Sequence, residues 1–223
     1  MKLSIIIPML NEAPELPGIL ARLPLRGCHC EVILVDGGSR DESVAIARQA
    51  GFRVLETAPG RARQMNAGAA DATGDLLLFL HADTVLPPMG LQAIQTALTD
   101  GQHRWGRFDV RISGRHPMLK VIAGLMNLRS RLTGIATGDQ AMFVTREAFT
   151  RAGGFPEQPL MEDIELSKRL KRLSPPACLY QQASTSGRRW ESRGLWRTIW
   201  LMWRLRFAYW RGAPAEQLAR AYR

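Results

Sequence analysis

Gly74-Asp75-Leu76-Leu77-Leu78-Phe79-Leu80-His81-Ala82-Asp83-Thr84 is the stretch whose reading decides the fold. Five consecutive apolar residues, with no polar alternation, read as a strand buried on both faces, as in a mostly parallel sheet covered by helices. The run stops at His81-Ala82-Asp83, so the carboxyl end of the strand carries polar side chains. In open α/β sheets that edge is where ligands bind. At this point Asp83 has two readings. It is a turn-former ahead of Pro87-Pro88, or a carboxylate held over a cleft by a rigid strand.

Outward from this strand the chain alternates strand and helix with short connections. Leu3 to Ile7 is β-branched and reads as a buried strand, followed by a loop from Pro8 to Asn11. Glu12 to Leu23 suits a helix with Pro14 in its first turn. Glu31 to Val35 is a second strand, ending in Asp36-Gly37-Gly38-Ser39-Arg40-Asp41, with Ser39 placed to cap a helix from Asp41 to Ala50. Phe52 to Leu55 is a third strand, and Arg61 to Ala70 a helix. This order predicts an α/β fold with a doubly wound, mostly parallel sheet. It brings Asn11-Glu12, Asp36 and His81-Asp83 to one edge. Beyond, Leu91 to Leu98, Met118 to Leu132, Arg146 to Arg151 and Glu162 to Leu173 read as helical, and Trp105 to Ile112 and Ala141 to Val144 as strands. The division expected is a catalytic domain over 1–175 and a basic helical appendage over 176–223.

The totals narrow the class. At 223 residues, 46% hydrophobic and 22% charged, the chain is globular and long enough for a sizeable core. Its net charge of +10 is uneven: from Lys168 onward thirteen Lys and Arg face only Glu191 and Glu216. Cys28, Cys30 and Cys178 offer no disulfide framework and suit a reducing compartment, hence a cytoplasmic location. Cys28-His29-Cys30 lacks the second ligand pair of a structural zinc site. The sequence contains no run of about 18 uncharged apolar residues, so no membrane-spanning helix is expected.

Several residue types carry chemistry. Asp36, followed by two glycines that let a ligand approach the backbone, can accept hydrogen bonds from a base or ribose. The Gly-x-Gly-x-x-Gly dinucleotide fingerprint is absent. Asp83 is a hard oxygen ligand. Mg2+ or Mn2+ needs few of these when substrate phosphates complete its shell. His81 reads as a hydrogen-bonded strand-end residue rather than a ligand. Arg61 and Arg63 open a helix, where an anion is welcome; a solvated surface pair is the other reading. Glu162-Asp163 opens another helix, either serving the helix dipole or supplying a general base. Glu165 faces Lys168 or Arg169.

Taken in order, Ser4-Ile5-Ile6-Ile7-Pro8-x-x-Asn11-Glu12, Val35-Asp36-Gly37-Gly38-Ser39-x-Asp41, Asn66-x-Gly68, Gly74-Asp75, His81-Ala82-Asp83, Gly153-Gly154-Phe155 and Glu162-Asp163 resemble family 2 glycosyltransferases of the GT-A fold. Gly60 to Asn66, Leu80 to Thr84 and Gly138-Asp139-Gln140 are similar to a bacterial subgroup of arsenosugar-biosynthesis glycosyltransferases. The resemblance implies an inverting transferase. Asp36 would hold the nucleotide base, with Pro8, Asn11 and Glu12 lining its pocket and Arg63 packing on or pairing with the nucleotide. Asp83 would hold Mn2+ or Mg2+ on the diphosphate, and Asp163 would be the base. The donor implied is a nucleotide-diphosphate sugar, a UDP-sugar first, and the acceptor a small molecule or a lipid-linked one. Two positions depart from the family pattern: His81 stands where the first acid of Asp-x-Asp is usual, and Gly37 where a second acid often follows Asp36.

Five of the six tryptophans fall between Trp190 and Trp210, interleaved with arginines. Arg188 and Arg189 are placed to reach the donor diphosphate, and Arg189-Trp190 is similar to an Arg-Trp pair common in the family. Trp196 to Trp210 reads as a peripheral contact with the inner face of a membrane or with another subunit, or as an ordinary amphipathic helix. Nucleic acid is the less favoured partner. A second functional class stays open on the residues alone: a catalytically weak binding protein, tethered through its basic tail to anionic lipid or nucleic acid.

Overall fold

The structure is a computed structural model that describes residues 1–23, 29–99 and 101–222; the side chains of Arg189, Ser192 and Arg193 lie outside the description, as does Cys28. Its centre is four parallel strands: β1 (Leu3–Met9), β2 (Cys30–Asp36), β3 (Arg53–Glu56) and β4 (Leu76–Phe79). They lie in the order β3-β2-β1-β4, and the sheet continues through β7 (Met142–Thr145), β6 (Trp105–Ser113), β8 (Ala177–Ser186) and β5 (Thr84–Val85). The change of direction comes at β7, antiparallel to both β4 and β6.

Both faces of the parallel part are covered, which is why β4 reads as an unbroken apolar run. Ile5, Ile7, Leu34, Leu76 and Leu78 face α1 (Leu16–Leu20), α2 (Ser43–Gln49) and α4 (Gly90–Thr99). Ile6, Ile33, Val35, Leu77 and Phe79 face α3 (Arg61–Asp71), α6 (Arg146–Arg151) and α7 (Glu162–Lys171). Helix α3 lies close on the sheet because Gly68 has no side chain; a Cβ there would come within 2.5 Å of Ile6 and 3.0 Å of Val35. Phe79, Phe149 and Phe155 form a ring cluster with centroids 4.8–5.7 Å apart. Asn66 anchors its outer member, donating to the Phe155 carbonyl at 2.8 Å and accepting from the Phe155 N–H at 2.9 Å. The separate motifs Asn66-x-Gly68 and Gly153-Gly154-Phe155 therefore meet in one interaction.

Helix α5 (Met118–Thr133) rests on β6 over a buried ionic network. Asp109 accepts from the fully buried Arg107 and from Arg131 at 2.8 Å, and Arg131 stacks 3.7 Å from the Tyr180 ring centre. Asn127 brackets Val110 with two backbone hydrogen bonds. Removing one partner of such a buried pair strands a charge, at a cost of about 3–5 kcal/mol.

Four expectations change. Pro8 lies inside β1 rather than in a loop; its missing N–H is tolerated because pairing with β4 ends at Ile6. Helix α1 starts only at Leu16, after a turn in which Glu12 O accepts from Glu15 and Leu16. Ser39 does not cap α2, since its hydroxyl donates to Asp36. Residues 177–186, expected within a helical appendage, form β8, paired along β6 in the main sheet. The polar run Tyr180-Gln181-Gln182 concealed this strand, whose middle is solvent-exposed. Only from Arg188 is the tail helical: α8 (Arg188–Arg193), α9 (Leu195–Trp210) and α10 (Ala215–Tyr222). Among the described residues no helix is long and apolar enough to cross a membrane.

The amino ends of β1, β2 and β4 are clamped by Glu31. Its Oε1 accepts from Ser4 Oγ at 2.5 Å and from the Thr73 N–H at 2.7 Å and hydroxyl at 2.9 Å. Burial opposes its charge, but hydrogen bonds from Ser4 and Thr73, and then Lys2, outweigh that and hold its pKa at about 2. A depressed carboxyl stabilises the fold fully above its ordinary value of 4.5 and loses that contribution as pH falls toward 2. We expect Glu31→Gln to remove on the order of 2–3 kcal/mol at neutral pH. Urea unfolding at stepped pH should show the wild-type advantage disappear across that acidic window; a gap that persists at the acid end would contradict this account.

Candidate active site

Parallel pairing puts three strand ends at one level. Met9 faces Asp36 across β1 and β2, and Ile6 faces Phe79 across β1 and β4. The loops beyond carry Asn11-Glu12, Asp36-Gly37-Gly38 and His81-Ala82-Asp83, so the expected shared edge is present.

The first two loops are stitched together. Asp36 is buried and accepts from the N–H groups of Gly38 and Ser39 at 2.8 and 2.9 Å and from the Ser39 hydroxyl at 2.5 Å. A carboxylate has about four acceptor positions, so one remains for a ligand donor. Asn11, in a left-handed conformation, donates its N–H to Ser39 Oγ and accepts from the Arg40 N–H through Oδ1, both at 2.9 Å. Its side chain thus shapes the loop. Gln64 ties both loops to α3, donating to the Met9 and Val35 carbonyls at 2.9 and 2.8 Å.

Asp83 is aimed by two hydroxyls. Its Oδ1 accepts from Thr84 at 3.1 Å and from Thr185 of β8 at 3.3 Å, while no described residue donates to Oδ2. Glu12 is its electrostatic neighbour. Burial first, and then the Asp83 charge, push the Glu12 pKa up, with Arg188 opposing. Arg188 itself binds Glu15 at 2.5 Å, bringing the start of α8 across to α1. The side chain of Arg189 lies outside the described residues. Arg63 pairs with Glu157 at 3.3 Å in solvent, whereas it is Arg61 whose charge bears on Glu162.

The turn Gly138–Gln140 joins this edge to α7. The Nε2–Cε1 edge of the His81 ring fills the space beside Gly138, leaving no room for a Cβ. His81 Nδ1 lies 3.5 Å from Asp139, and the Gly138 N–H donates to Asp163 Oδ2 at 2.8 Å. The Asp163 Oδ1 accepts from the Ile164 N–H at 2.7 Å. Glu162 beside it is buried and its pKa is raised, by burial first and then by the Asp163 charge. Glu165 points away, toward Lys168 and Arg169, as expected.

Two arginines that the sequence did not single out bear on Asp163. Arg129 of α5 has its pKa lowered to about 10 by burial, with the nearby Arg206 adding repulsion and Asp163 opposing. Arg206 of α9 is likewise lowered by burial, with Asp163 and Asp139 opposing. Arg129 Nε and Nη2 are buried with no hydrogen-bond partner among the described residues. Arginine abundance in the tail hid Arg206. Its helical phase, on the flank of α9 away from Arg197 and Arg204, was the available signal.

The architecture is shared with solved proteins. TarS 1-349 of S. aureus superposes with a TM-score of 0.64 at 16% identity, covering 84% of this chain and 61% of that one. PcManGT, a mannosyltransferase from Pyrobaculum calidifontis in complex with GDP-Man and Mn2+, gives 0.61 at 20%, over 82% and 56% of the two chains. These likenesses show the GT-A fold. The model of one sequence family, "Glycosyl transferase family 2", matches residues 4–152. The chain belongs to glycosyl transferase family 2. An undecaprenyl-phosphate 4-deoxy-4-formamido-L-arabinose transferase of Klebsiella pneumoniae is 31% identical over 152 residues, 62% of this chain. This chain spans 46% of that relative's length.

The donor set at Asp83 fits a divalent cation of the Mg2+ or Mn2+ kind. Among the described residues no three His, Cys, Asp or Glu side chains gather into a cage. One aimed carboxylate, beside a second that is held up by its charge, is the arrangement a cation sharing its shell with phosphate and water would relieve. The electrostatics of this edge can be checked directly. Asp83→Asn removes one of the two leading causes of the Glu12 shift, so the Glu12 titration midpoint, followed by carboxyl carbon NMR, should move down yet stay above the ordinary glutamate value. An unmoved midpoint would show that the two carboxylates do not interact.

Proposed function

We propose that this transferase moves a sugar from a nucleotide-diphosphate donor to an acceptor hydroxyl, with inversion, in a single displacement. The observation that carries the reading is the turn at Gly138, which links the strand end bearing His81 and Asp83 to the carboxylate of Asp163. Asp36 receives the nucleotide base at its remaining acceptor position, in a pocket edged by Glu12 and the Asn11 loop. Mn2+ or Mg2+ on Asp83 would neutralise charge growing on the diphosphate. Asp163, oriented by two backbone N–H groups, takes the proton of the acceptor hydroxyl. As that oxygen bonds to the anomeric carbon, the bond to the diphosphate oxygen breaks and the nucleoside diphosphate leaves with the electron pair. Arg188 lies near enough to Glu12 to meet that diphosphate after releasing Glu15.

The donor we favour is a UDP-sugar; TarS was crystallised with UDP-GlcNAc and PcManGT with GDP-Man. The acceptor is a small molecule or a lipid-linked one, the latter supported by the undecaprenyl-phosphate relative. The free thiol of Cys178 agrees with action in the cytoplasm.

Thermal unfolding with UDP, GDP, CDP and ADP, with and without Mn2+, tests donor and metal together. A nucleotide at about 100 times its dissociation constant should add about 2.7 kcal/mol to stability. The gain should grow with Mn2+ and be lost in Asp83→Ala; no gain from any nucleotide would remove the donor site. Asp163→Asn should cut transfer by about 10²-fold or more while leaving nucleotide binding intact. Normal turnover in that variant would end the role given to Asp163.

A further inference from the structure

Two neighbouring helices turn rows of large apolar side chains outward. On α5 these are Val121, Leu125, Leu128 and Leu132; on α9 they are Trp196, Trp200, Trp203, Phe207 and Trp210. Each row advances by alternate steps of four and three, the spacing of one narrow helical stripe. The opposite faces are packed. Leu119, Ile122 and Ala123 of α5 meet Leu195 and Ile199 of α9, and Leu205 sits with Met161, Ile164 and Leu218. The tryptophan side chains are 62–79% exposed, so the row is not the core face of an amphipathic helix.

Charge identifies what covers these rows. Neither helix contains an Asp or Glu. Arg197, Arg204 and Arg211 each follow a tryptophan by one residue and are exposed along one flank of the aromatic row. Arg204 lies over the Trp200 ring at 4.8 Å and Arg211 over Phe207 at 5.9 Å. Pairing this face with its own copy would bring rows of like charge together. Indole rings bordered by guanidinium groups suit instead a layer where apolar chains meet phosphates.

We propose that α5 and α9 form one docking face for an anionic lipid bilayer, with the Trp and Leu rows at headgroup depth and Arg197, Arg204 and Arg211 on lipid phosphates. The inward sides of the same helices carry Arg129 and Arg206, whose charges act on Asp163. Docking therefore sets the acceptor end of the cleft at the bilayer surface, a consequence that rests on the role proposed for Asp163.

The full chain should pellet with vesicles of phosphatidylcholine plus phosphatidylglycerol and stay in solution with phosphatidylcholine alone. Binding should weaken as salt is raised. Tryptophan emission should shift to the blue on binding. Trp200→Ser with Trp203→Ser, and separately Leu125→Ser with Leu128→Ser, should each reduce partitioning about tenfold or more, with unchanged thermal unfolding. The proposal is overturned if the wild type ignores both vesicle types, or if the Leu pair binds like wild type. It is also overturned if sedimentation velocity shows a dimer that the same substitutions dissolve. Vesicle binding needs no donor and no turnover, so its failure leaves the sugar-transfer reading standing, and the reverse holds.

Discussion

Strand β1 pairs in parallel on both sides, with Leu3 opposite Cys30 of β2 and opposite Leu76 of β4. Backbone hydrogen bonds fix this register, and a slip of one residue would exchange the faces of Ile5, Ile6 and Ile7. Since helices bury both faces, no slipped arrangement leaves the core filled in the same way. The register therefore also fixes where Asp36, Glu12 and Asp83 stand. The site is a by-product of core packing in position, while its chemistry comes from what the loops add.

What the loops add is largely their own scaffolding. Asp36, Ser39, Asn11 and Arg40 hold one another, and Thr84 and Thr185 hold Asp83. Only then does a connection run to α7, through a ring edge set against a glycine and one backbone N–H to Asp163. His81, which departs from the family's usual acid, has a positive use here: its ring edge fills the space beside Gly138, and its Nδ1 meets Asp139.

The parallel half of the fold was legible because its signals are local: apolar runs of strand length, glycines, and acids at strand ends. Helix α6 was read to the residue, and α3 and β4 to within one. Strand β8 was not legible, because a strand exposed in its middle carries no apolar run, and its identity comes from pairing with a distant β6. The fate of polar side chains was equally hidden. Ser39 is a helix cap by position but binds Asp36, and Arg63 looked like the ligand-facing arginine while Arg61 acts toward Glu162. Gln64 lay inside a resembling segment with no role attached and Arg129 in none, since their roles depend on which carbonyls or charges three-dimensional packing brings near. The tail's basic and aromatic content was plain, but its partner row on α5 is visible only once the two helices lie together.

The clamp around Glu31 sits at the amino ends of the strands, while Asp36 and Asp83 sit at their carboxyl ends. The length of the sheet separates the two. A population of sequences built on this plan can exchange residues in the upper loops, altering the chemistry of that edge, without loosening the knot below. Mutational tolerance is thus partitioned along the strand axis. Diversity in what such chains act on and constancy in how they fold are opposite poles of one sheet.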